Sequence, residues 1–227
     1  MTTPRLTLFA VILTFGTGAV DAAAYIRLGG VFSSVMTGNL VLAGYAISST
    51  TLSMALHTAV AFAGYIMGTA LGTRIAGHPR PDEPIWPARV TTTLAVELVV
   101  IACFSVGWEM TGGNPAIFAE HVLLALSALA MGMQSAAMRG LGGHAALSTT
   151  YLTGTLTGVV AALLTPRDGT RFDLRGMAML AALTGGAACG ATLIAVAPSL
   201  FPAIPLSTLA LVVVAARITW PTGAGAG

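Results

Sequence analysis

An all-α, polytopic membrane protein is the fold class this sequence predicts, and three observations predict it. Hydrophobic residues make up 56% of the 227-residue chain and charged residues only 8%, where a soluble domain carries about 25% charge. Apolar stretches of roughly 20 residues, the length needed to cross a bilayer, recur along the chain. The ten basic residues are all arginine and flank those stretches. Six spans plus two short re-entrant or broken half-helices are expected, in a single integral membrane domain over 1–227.

The first span, 6–27, follows Arg5. Its sequence also fits a signal peptide, with one Arg, an apolar core and small residues suited to cleavage. The same region is echoed later in the chain, so it is read as part of the fold. The next apolar piece, 36–49, is too short for a comfortable crossing. Spans at 53–76 and 89–109 flank a polar loop, "RIAGHPRPDEPIWPAR". A fourth span covers 116–138, a second short piece 149–164, and the last two spans lie at 176–197 and 202–218. Cys103 and Cys189 fall inside apolar segments without metal-ligand or redox spacing, and are read as small buried hydrophobes.

Arginine placement decides between eight crossings and six. Arg5, the loop flanked by Arg74, Arg80 and Arg89, the loop carrying Arg167, Arg171 and Arg175, and Arg217 should all lie on the cytoplasmic side. Only the six-span model, with both short pieces dipping in and returning, puts them there. The cytoplasmic loops are then about 77–88 and 165–175, and both termini are cytoplasmic, in a bacterial cytoplasmic membrane.

Each half, about 5–110 and 115–218, carries its short piece directly after its first span, entering from opposite faces. That is the arrangement of an inverted-topology repeat. "DAAAYIRLGG" at 21–30 aligns with "QSAAMRGLGG" at 134–143, placing Asp21 opposite Gln134, and "MTGNLV" answers "LTGTLT". An ordered recurrence of this kind signals internal repetition.

The polar residues inside apolar stretches are the candidates for chemistry. A helix N-terminus leaves N–H groups unpaired and carries partial positive charge, so within a membrane it must be buried in protein or line a cavity. Ser33, Ser34 and Thr37 are placed to cap a half-helix beginning near Met36, with Gly38 allowing close approach and Asn39 offering donors and an acceptor. Ser148, Thr149, Thr150 and Thr153 stand in the same relation to the second half-helix, beside Gly154. Two such ends meeting near the midplane would bind an anion or polar solute. Packing of small and hydroxyl residues between helices explains the same pattern, and both explanations stay open.

Asp21, about fifteen residues into the first apolar segment, is costly there and is the leading candidate for a proton or cation site, or for a partner to Arg27 or Arg139. Gln134 suits an interhelical hydrogen bond. Glu97 is a secondary candidate, and Arg139 either joins the site or marks the membrane boundary. His57 is read as a packing residue, and Glu120, His121, Trp108 and Glu109 as a cluster at the outer interface. No Walker loop, HExxH, paired metal ligands or nucleophile elbow occurs. An enzyme, a cofactor, a metal and a nucleic-acid partner are therefore not expected.

The stretches "GAVDAAAYIRLGGVFSSVMTGNLVLAG" and "MGMQSAAMRGLGGHAALSTTYLTGTLTGVV" resemble the two signature blocks of the YoaK-like family of bacterial membrane proteins, domain of unknown function 1275. The resemblance implies an integral membrane protein of about this size and points to Asp21, Thr37, Gly38 and Asn39 as signature positions. The family's second block tends towards Thr-Gly-Asn, whereas this chain has Thr153-Gly154-Thr155. The two half-helices are thus not expected to bind a ligand alike. Two functions remain open: a small-solute or ion transporter or channel, partnered by the lipid bilayer and compatible with a homodimer, and a non-transporting assembly, sensor or structural protein whose motifs only pack helices.

Overall fold

A computed structural model describes residues 4–79, 84–141, 152–164 and 174–220. The described chain is helical, with no strand. Six helices are long and apolar enough to cross a bilayer: α1 (Pro4–Arg27), α3 (Leu52–Ala76), α4 (Ala88–Met110), α5 (Ile117–Arg139), α7 (Leu174–Val196) and α8 (Ala203–Thr219), the last extended by a 3-10 turn at Pro198–Leu200. Two more, α2 (Met36–Ser48) and α6 (Leu152–Leu164), have 13 residues each. At 1.5 Å per residue each is about 20 Å long, short of the roughly 30 Å hydrocarbon layer.

Glycine-mediated contacts show how the long helices run. Gly64, Gly68 and Gly72 of α3 meet Ala125, Leu129 and Met133 of α5 in rising order, so this pair is parallel. Phe15 and Ala19 of α1 likewise meet Gly186 and Gly190 of α7 in parallel. These contacts bring backbone against backbone: a Cβ at Gly68 would fall 2.0 Å from the Leu129 carbonyl oxygen, and one at Gly186 would fall 1.9 Å from that of Phe15. Lipid supplies no hydrophobic drive for helices to associate, so such close van der Waals contact is what joins them.

The remaining neighbours are antiparallel. Val90 and Gly107 of α4 reach Gly140 and Leu123 at opposite ends of α5. Phe9 and Gly16 of α1 reach Trp220 and Thr208 on the α8 side. Trp108 packs on Phe201 while Trp86 stacks on Trp220, which sets α4 against α8. Hence α1, α4 and α7 run one way and α3, α5 and α8 the other.

This pattern decides what the short helices do. α1 ends on the face where α3 begins, so the intervening α2 makes no net crossing. α5 ends on the face where α7 begins, so α6 makes none either. The starts of α1, α4 and α7 and the ends of α3, α5 and α8 share one face, which gathers Arg5, Arg74, Arg89, Arg139, Arg175 and Arg217. Arg27 lies at the opposite face, where its Nη1 donates to Asn114 Oδ1 at 3.1 Å.

The helix pairings correspond between the halves: α3 with α5 and α7 with α1, α4 with α5 and α8 with α1, α2 with α3 and α6 with α7. α4 and α8 meet each other. Aromatic clusters close both ends of the bundle. Phe9, Trp86 and Trp220 do so at the arginine-rich face, and Phe104, Trp108 and Phe201 at the other. Trp108, expected at the outer interface, is at that end but fully buried, with its Nε1–H donated to the Pro198 carbonyl at 2.9 Å. Cys103 and Cys189 correct the expectation of burial: both are exposed on the outward faces of α4 and α7. In a membrane that surface faces lipid, where a small apolar side chain is as well placed as in the core.

Candidate functional site

Asp21 is buried six residues before the C-terminal end of α1, about 9 Å from that end at 1.5 Å per residue. The chain turns after Arg27 through Gly29 and Gly30, both at positive φ (90° and 73°), and returns over the carboxylate. Asp21 Oδ1 accepts the backbone N–H groups of Ser33 and Ser34, each at 2.8 Å, and Oδ2 accepts the Ser34 hydroxyl. Neither Arg27 nor Arg139 pairs with it: Arg27 is bound to Asn114, and Arg139 is exposed on the far face. Consecutive backbone amides supply the compensation that a buried carboxylate requires.

Asn39 secures the same turn from α2. Its Oδ1 accepts the Phe32 N–H at 2.9 Å and its Nδ2 donates to the Phe32 carbonyl at 2.7 Å, so one side chain satisfies both backbone groups of one residue. Ser33 then ties the turn to α5 through a 2.7 Å hydroxyl contact with Ser127. At α2 the expected hydroxyl caps do not form. Val35 is the N-cap of α2 and supplies no side-chain bond, because the serines before it are committed to Asp21 and Ser127. Thr37 is exposed, and Gly38 sits in ordinary contact beneath Phe32 and Val35.

The wall formed by Asp21 and this turn faces a groove of about 600 Å³ against α7, lined also by Gly18, Phe32, Val35, Leu183 and Ala187. The groove is mainly apolar, and among the described residues that line it Asp21 alone is charged.

Of the other predicted residues that are described, Gln134, Glu97 and Arg139 are not brought to this place. Gln134 donates to Thr17 Oγ1 at 2.7 Å, between α5 and α1, and borders a separate small cavity with Glu97. Gly154 is exposed on α6, with no neighbour among the described residues that a Cβ would touch. Thr153 belongs to α6, but its side chain lies outside what is described, as does all of Thr150 together with Ser148 and Thr149.

His57 is buried at the same end of the bundle as Asp21 and does more than pack. Its Nδ1 lies 2.7 Å from the Ser53 carbonyl, its Nε2 2.9 Å from Glu120 Oε1, and its ring stacks on His121. Gly29 passes directly over that ring: a Cβ there would lie 2.1 Å from His57 Cδ2. Sequence reasoning missed Thr17, Ser127 and Thr208. Their only signal was a hydroxyl residue within an apolar helix, which more often bonds back to its own helix, as Thr17 and Thr208 also do. Among the described residues no group of three His, Cys, Asp or Glu side chains is placed to hold a metal.

Residues 9–216 match the model of a family described as protein of unknown function DUF1275. The chain is 36% identical over 152 residues to the UPF0700 transmembrane protein YoaK of Bacillus subtilis strain 168. That match covers 66% of this chain and spans 63% of the length of its relative. No solved structure matches the chain.

Proposed function

The chain belongs to the DUF1275 family, and from that premise we propose that it is a small-solute or ion transporter, or a channel-like protein, of the bacterial cytoplasmic membrane. The observation that carries the proposal is the pair of short helices, α2 and α6, which make no net crossing and hold corresponding places in the two halves. Interrupted segments at matching positions are where many secondary transporters place their solute. The matched helix pairings and the parallel running of α1 with α7 and α3 with α5 support reading the halves as an inverted repeat. The six arginines on one face support placing that face, and both termini, in the cytoplasm.

Within this reading the solute enters the groove between α1 and α7, with Asp21 at its wall. Because Asp21 stands between the middle of α1 and its arginine-poor end, the groove is a vestibule opening to that side. One observation favours a second reading, in which the protein transports nothing and the motifs only shape the bundle. The Asp21 carboxylate and the Asn39 amide are engaged by their own chain, and the groove is otherwise apolar.

A thermal-shift screen of the purified protein in detergent, with small ions and metabolites, tests the two readings. A variant with Phe in place of Ala22, which also lines the groove, is run alongside as Ala22→Phe. A compound that stabilises wild type but not Ala22→Phe, and enters proteoliposomes only when wild type is present, is the result expected for transport. If no compound shifts either protein and no flux is seen, the second reading stands.

A further inference from the structure

Glu97 lies near the midpoint of α4 (Ala88–Met110), at the junction of α1, α4, α5 and α8. It is fully buried, and among the described residues neither Oε1 nor Oε2 has a hydrogen-bond partner. Every other carboxylate buried in the described bundle is answered: Asp21 holds two backbone amides and a hydroxyl. An ionised carboxylate left alone in low dielectric is among the costliest things a fold can contain, so a native structure balances it.

The surroundings show what can balance it. Glu97 lines a cavity of about 10 Å³ with Gly16, Met131, Gln134, Pro205 and Thr208 among its neighbours. That is room for about one water-sized occupant. Gln134 donates its Nε2–H to Thr17, which leaves the amide oxygen available. Thr208 donates its hydroxyl to the Ile204 carbonyl at 2.9 Å, which leaves its lone pairs available. The cavity thus offers oxygens, including those of one carboxyl group. None of the lining residues from α1, α5 or α8 titrates or carries charge, and α3, also packed on α4, contributes none.

We propose that Glu97 is a binding site for a single positive charge taken from solution, either a proton on the carboxyl group or one small alkali cation such as sodium. A divalent ion would leave net charge in the bundle, and calcium takes six to eight oxygens, more than the site presents. The site stands apart from the groove beside Asp21 and does not depend on any solute being moved. Because α4 meets α8 here and Gln134 is tied to Thr17, occupancy acts where the two halves of the chain join.

Infrared spectroscopy and thermal melting of the purified full-length protein test this together. Wild type, Glu97→Gln and Glu97→Asp are compared in choline, potassium, sodium and lithium chloride at equal ionic strength and at several pH values. For a proton site, wild type shows a protonated-carboxyl C=O band that Glu97→Gln lacks and that no salt removes. For an alkali-cation site, sodium or lithium removes that band and raises the wild-type melting temperature with the logarithm of its concentration. Glu97→Gln then shows no such dependence, and Glu97→Asp shows it at a higher concentration. If wild type and Glu97→Gln share the same carboxyl bands and the same response to every salt, the proposal is overturned. Should Glu97→Gln not purify, Glu97→Asp decides: an unshifted band and an unchanged salt response overturn it equally. None of these readouts involves the groove, so a failed solute screen leaves this result unaffected.

Discussion

Asp21 and Asn39 fasten one turn of chain to the bundle through the backbone. Removing the carboxylate leaves the Ser33 and Ser34 N–H groups without their acceptor in a buried place, so Asp21→Ala is expected to cost about 3 kcal/mol. Asp21→Asn keeps a carbonyl oxygen for both amides and should lose less than half as much. Thermal melts in detergent measure both, and equal losses would contradict the hydrogen-bonding role. Asn39→Ala exposes both backbone groups of Phe32 to the same penalty, about 2 kcal/mol. Asn39→Asp should fare worse than its similar shape suggests, because it sets an oxygen against the Phe32 carbonyl. Asp21 was legible as an expensive residue in an apolar run. Its pairing with Ser33 and Ser34 was not, because apart from the Ser34 hydroxyl they contribute backbone amides, which every residue but proline carries.

At the scale of elements, the close pairs α3–α5 and α1–α7 rest on glycines whose place no side chain can take. Gly68→Leu and Gly186→Leu drive atoms into the Leu129 and Phe15 carbonyls and are expected to destabilise by about 3 kcal/mol or to prevent folding. Gly44, in the middle of α2 with nothing near its absent Cβ, is the control. Gly44→Ala should be neutral or stabilising by about 0.5–1 kcal/mol, the helix-propensity difference between the two residues. Melting temperatures and size-exclusion profiles of the three variants check this. If Gly68→Leu matches Gly44→Ala, the backbone contact does not hold the pair together. The lengths of α2 and α6 were readable as apolar runs too short to cross. Which glycines are contacts and which are merely permitted was not, since 27 of them are spread over the chain.

For the whole molecule, the alternating directions of the six long helices put six arginines on one face. With that face in the cytoplasm, the loop after α4 is external. In a variant with Cys103 and Cys189 replaced by alanine, Asn114→Cys should react with an impermeant maleimide added to intact cells. Arg74→Cys should react only after the membrane is opened. The opposite result would reverse the orientation.

Membrane class, the six spans, the two short segments and the family could all be read along the chain. Each follows from local quantities: the length of an apolar run, the cost of charge in lipid, and the order of small and polar residues along one stretch. Tertiary structure alone decided which polar residues are satisfied and which are not. Asp21, the leading candidate, and Glu97, a secondary one, are both single carboxylates in apolar helices. The returning turn at 28–35 separates them, by carrying backbone amides to the first while the second meets a small cavity and, among the described residues, no donor. Compensation of a buried charge is a matter of distance between segments far apart in the chain, and no local pattern records it.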